Sequence, residues 1–142
     1  MFDTSHLHPM LVHFPIALVL FGFLFELASV FFKKEDWLSK TGFYLLMIGT
    51  LAALVTWLSG FIFTSDMSGA AGRIRDTHML FATVTVGLLL ITTVFRIILE
   101  IRKIQSAGLQ WIGTALYALA ALCVTFTGFY GGTLVYSYMM PL

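Results

Sequence analysis

Four histidines, His6, His8, His13 and His78, stand where polar stretches of this chain meet long apolar ones. A neutral imidazole can move a proton or ligate haem iron, zinc or copper through a ring nitrogen. In apolar surroundings each one calls for a partner, because an unpaired polar side chain is costly there. The first three fall in or beside Leu7-His8-Pro9-Met10-Leu11-Val12-His13-Phe14-Pro15-Ile16-Ala17-Leu18. Pro9 suits a first helical turn, where its missing N–H costs nothing. Pro15 removes the donor that would bond Leu11, which predicts a kink beside His13.

The elements that carry these residues follow from composition. The 142 residues are 59% hydrophobic and 11% charged, with a mean hydropathy of +0.94. Soluble domains are about a quarter charged, so the chain reads as a membrane protein. Its net charge of +1 gives no reason to expect nucleic acid as a partner. Cys123 is the single cysteine and reads as a small apolar filler. No Lys or Arg precedes the first apolar run, so no cleavable signal peptide is expected.

A membrane span takes about 20 apolar residues. Four stretches qualify, at about 9–32, 41–63, 77–101 and 109–136. They predict one all-α transmembrane domain, a four-helix up-down-up-down bundle in a lipid bilayer. Residues 64–76 read as a polar loop, with Gly69-Ala70-Ala71-Gly72 as a flexible turn. Lys33, Lys34, Lys40, Arg102 and Lys103 flank one end, against only Arg73 and Arg75 at the other. The positive-inside rule then places both termini outside a bacterial plasma (inner) membrane.

With that topology the four histidines gather at the outer end, together with Asp66, Asp76, Arg73, Arg75, Tyr136 and Gly131-Gly132. His8 and Glu26 are eighteen residues apart, as are His78 and Arg96. Eighteen residues are five helical turns, so each pair shares a face. If the first and third spans face each other, His8 meets His78 at one depth and Glu26 meets Arg96 at another. His13 is the near alternative to His8.

Three readings follow. In the first, a b-type haem sits between His8 and His78 as axial ligands and the protein transfers electrons. Phe14, Phe81, Phe126 and Phe129 would wall the slot, and Arg73 and Arg75 would meet the propionates. Asp66, Asp76 or Thr77 would bond the second imidazole nitrogens. In the second, His8, His13, Asp66 and His78 hold a single transition-metal ion. Met1, Met10, Met67, Met79, Met139 and Met140 cluster at the same end and would suit copper. In the third, the histidines form a hydrogen-bonded network in a structural subunit without cofactor, and His6 is merely solvated. No GxSxG, Walker or HExxH motif accompanies them, which favours a redox carrier over a turnover enzyme. Glycines on the second span (Gly42, Gly49, Gly60) and the fourth (Gly113, Gly128, Gly131, Gly132) would serve helix packing or a flat ligand. They also leave room for a homodimer.

The run from His8 to Leu18, Asp66 after Gly60, Arg73 to His78 and the ending Gly131-Gly132-Thr133-Leu134-Val135-Tyr136 resemble the four-helix membrane family DUF2231. Relatives in that family occur fused to Rieske iron–sulfur or cytochrome c modules. The resemblance therefore implies a redox setting, a haem-binding, cytochrome b-like role and a partner of that kind. A family variant reads His-Pro-x-Leu-Thr-Asp-x-Pro, with Asp where this chain has His13. By that analogy His8, Asp66 and His78 carry over. A His/Asp exchange at His13 suits a metal ligand or a hydrogen-bond acceptor better than an axial ligand.

Overall fold

A computed structural model describes residues 7–64 and 66–138, and every element among them is helical. These are α1 (Leu7–Leu11), α2 (His13–Phe31), α3 (Asp36–Phe63), α4 (Gly69–Ile101) and α5 (Ala107–Ser137). Four helical stretches are long and apolar enough to cross a membrane: His8–Phe31, Asp36–Phe63, Gly69–Ile101 and Ala107–Ser137.

The break between α1 and α2 falls at Val12, where the kink was expected. Pro15 has no N–H to give the Leu11 carbonyl, and the Thr56 hydroxyl of α3 donates to that oxygen instead, at 3.3 Å. The Val12 N–H still bonds the His8 carbonyl at 3.1 Å, so the two segments remain joined. α4 departs from the sequence expectation. It begins at Gly69, so Gly69-Ala70-Ala71-Gly72 is its first turn and Arg73, Arg75 and Asp76 are helical. Polarity marked this stretch as a loop, yet it holds no proline, and its alanines and arginines favour a helix enough to carry Gly72. Gly69 itself has φ +66°, where a residue without Cβ turns the chain at little cost. α3 likewise starts one turn early, at Asp36.

α2 packs most extensively on α3, and α4 on α5, giving two hairpins that meet along α2–α5 and α3–α4. Touching residues run in opposite chain order along each neighbouring pair: Val19 with Gly49 and Glu26 with Gly42, or Thr85 with Thr127 and Arg96 with Gly113. Close approach depends on glycine at Gly42, where a Cβ would stand 3.0 Å from the Glu26 nitrogen and the Gly22 carbonyl. Val19, Leu46, Leu89, Tyr117 and Ala120 fill the centre. Large apolar side chains such as Phe31, Ile62 and Phe129 point outward, as they do where the solvent is hydrocarbon.

This apolar centre separates two polar layers. In one, Arg96 Nη1 and Nη2 donate to Glu26 Oε1 and Oε2 at 2.5 and 2.9 Å, and Thr114 donates to Oε1 at 2.9 Å. The depth-matched pairing of Glu26 with Arg96 is thus realised, as a buried bidentate ion pair. The other layer holds the histidines.

Candidate functional site

His8 comes from α1 and His78 from α4, so the two imidazoles reach the bundle interior from different hairpins. Both are buried, and their ring centres lie 6.4 Å apart with planes at 83°. Each ring rests on a glycine of its own hairpin. A Cβ on Gly60 would stand 3.2 Å from His8 Cε1, and one on Gly131 would stand 3.1 Å from His78 Cε1.

Hydrogen bonds hold both rings through Nδ1. His78 Nδ1 lies 2.9 Å from the Thr127 carbonyl, which can only accept, so Nδ1 carries the proton. His8 Nδ1 lies 2.8 Å from Ser59 Oγ. Ser59 Oγ also lies 2.7 Å from the Thr56 carbonyl, so its one proton serves either that carbonyl or His8 Nδ1. Among the described residues neither Nε2 has a hydrogen-bond partner. An imidazole whose Nδ1–H is held by an oxygen and whose Nε2 is free is arranged as a ligand.

The rings border a cavity of about 950 Å³ at this end of the bundle. Pro15, Thr56, Thr85, Val86, Gly128 and Gly132 contribute to its walls. A Cβ on Gly132 would meet nothing within 4 Å, so this glycine faces open space. Met10 and Met79 also line the cavity, whereas Met1, Met139 and Met140 lie outside the described residues, as does His6.

Several sequence expectations land elsewhere. His13 lines the cavity but is exposed, and its Nδ1 donates to the Pro9 carbonyl of its own helix at 2.9 Å. The α1–α2 break turns it away from the His8–His78 pair. Asp66 is on the exterior, paired with Arg75 at 3.2 Å rather than with an imidazole. Asp76 is exposed, and the Thr77 hydroxyl bonds the Arg73 carbonyl. The oxygens that hold the imidazoles are instead Ser59 and Thr127, on the hairpin partners. Arg75 reaches the cavity, but Arg73, two residues away on a helix, is exposed. None of the four expected phenylalanines lines the cavity: Phe14, Phe126 and Phe129 face outward, and Phe81 stacks on Phe126 and Tyr130. Among the described residues no three of His, Cys, Asp and Glu come together, so the four-residue metal set is not assembled.

His8 and His78 therefore stand as a pair across the seam between the two hairpins, where the packing is least extensive, with ring centres 6.4 Å apart.

The family DUF2231, described as a predicted membrane protein, matches residues 4–141, and the chain belongs to it. No curated protein and no solved structure matches the chain.

Proposed function

We propose that this DUF2231 membrane protein carries one b-type haem between its two hairpins, with His8 and His78 Nε2 as axial ligands, and passes electrons. The observation that carries the reading is the pair of buried imidazoles, ring centres 6.4 Å apart, each held through Nδ1 with Nε2 unpartnered among the described residues. Haem would supply the one-electron chemistry. The chain's own part is to hold both ligands and to exclude water with Val86 and Val124 beneath them. Arg75, at the cavity edge, would meet a propionate in place of Asp66. With the basic flanks of the opposite end inside, the haem would lie near the outer face of a bacterial inner membrane. There a Rieske or cytochrome c module could exchange electrons with it.

The test is an absorption spectrum of the detergent-purified chain, oxidised and dithionite-reduced, from cells supplied with haem. Sharp Soret and α bands, absent from His8→Ala and His78→Ala but kept in His13→Ala, are the expected result. A colourless native protein overturns the electron-transfer reading. Metal analysis of that colourless protein then separates a two-histidine ion site from a hydrogen-bonded structural pair.

A further inference from the structure

The two hairpins repeat one another. Every position of α1 and α2 described as buried returns seventy residues later as a buried position of α4: His8/His78, Pro15/Thr85, Val19/Leu89, Gly22/Thr92 and Glu26/Arg96. In the second helix of each hairpin the shift is seventy-one, pairing Gly42/Gly113, Leu46/Tyr117, Gly49/Ala120, Thr50/Ala121 and Ala53/Val124, all buried. The extra residue is in the turn: α2 ends at Phe31 and α3 starts at Asp36, while α4 ends at Ile101 and α5 starts at Ala107. Contacts repeat with the positions. His8 rests on Gly60 as His78 rests on Gly131, and Gly42 abuts Glu26 as Gly113 abuts Arg96. His8 reaches the Thr56 carbonyl through the Ser59 hydroxyl, and His78 reaches the equivalent Thr127 carbonyl directly. The α2–α5 and α3–α4 seams are likewise matched in extent.

The geometry points to a chain made of two copies of one helical hairpin, related by a pseudo-two-fold axis along the bundle, with the ligand site on that axis. His8 and His78 are then a single ligand position used twice. A ligand with two equivalent faces, such as a planar metal macrocycle, is what that symmetry accepts. Glu26 and Arg96 are the buried equivalents that carry charge, and the charges are opposite. Two identical residues here would repel, whereas this pair ties one hairpin to the other within a single chain. They are positioning residues, acting through the hairpin register that sets the His8–His78 spacing. The duplication stands on the fold alone, and only the ligand's place rests on the haem reading.

A charge exchange tests it in the full chain. Glu26→Arg and Arg96→Glu singly put like charges face to face, and each is expected to lower the yield of monodisperse protein at least tenfold. Because the two sites are equivalent, the double exchange should restore most of that yield. It should fall short of native protein because Thr114 loses its carboxylate partner, the equivalent position being Phe43. A double exchange no better than the worse single variant overturns the duplication. Gly60→Ala and Gly131→Ala give a second readout, since each sets a Cβ against one imidazole. Matched shifts in thermal midpoint support the equivalence, and a large loss in only one of them overturns it. The Soret band separates the two claims. If native protein has the band and the well-folded double exchange lacks it, the positioning role fails. If the native protein itself is colourless, the haem reading fails and the duplication is still judged by folding.

Discussion

The Glu26–Arg96 layer and the His8–His78 layer are both polar pairs that bridge the hairpins, but one is closed and the other open. Arg96 and Glu26 exhaust each other in two parallel bonds, Thr114 takes a further lone pair, and Gly42 and Gly113 bring the backbones in around them. Only the Tyr117 hydroxyl, buried beside them against Gly22, is left there without a partner among the described residues. At the other end, each imidazole is tied by one nitrogen only and borders a cavity, beside a glycine that faces open space. A closed layer holds a membrane bundle together. An open layer is where the proposed haem would sit.

That contrast can be broken or sharpened by substitution. The largest effect is expected from Arg96→Leu, which strands the Glu26 carboxylate in the apolar centre and should cost about 3–5 kcal/mol. Thermal unfolding in detergent measures it. Glu26→Leu combined with Arg96→Leu removes both charges and should fall within about 2 kcal/mol of native protein, since apolar replacements of buried pairs are often neutral. If the double variant is as unstable as the single one, the closed layer does more than neutralise itself.

Next comes Gly42→Ala, whose Cβ meets backbone rather than a movable side chain, with an expected loss of about 1–3 kcal/mol. Gly132→Ala, facing open space, should stay within about 0.5 kcal/mol of native. The same thermal scan checks the two side by side. His8→Ala gives up one hydrogen bond, about 1 kcal/mol, yet should abolish the Soret band. If it unfolds the protein as thoroughly as Arg96→Leu, the histidine layer is structural as well and the distinction collapses. The smallest effect belongs to Arg73→Ala, expected to leave spectrum and stability unchanged, whereas Arg75→Ala should release haem several-fold faster to a competing apo-globin.

Much of this was legible without coordinates. Four apolar stretches of span length can only be helices in a bilayer, because each must satisfy its own backbone there. The eighteen-residue spacing placed His8 level with His78 and Glu26 level with Arg96, since helical periodicity runs along α4 and is kept across the break at Val12 by the Val12–His8 backbone bond. Less legible was the outer loop, where charge hid a helix running from Gly69, and the fate of His13, which depends on how the backbone re-forms around Pro15.

The sequence by itself determined what is set along one chain direction: which segments span, how deep each polar residue lies and which share a face. Only the tertiary structure decided what depends on a neighbouring helix. It chose Ser59 and Thr127 over Asp66, Asp76 and Thr77 as the imidazoles' partners, and it sent Asp66 to Arg75. It turned Phe14, Phe126 and Phe129 outward, and the aromatic side chains that line the cavity are Trp57 and Tyr136 beside the histidines. The reason is that a side chain's depth follows from the rise of its own helix, while its partner follows from the rotation and spacing of another helix.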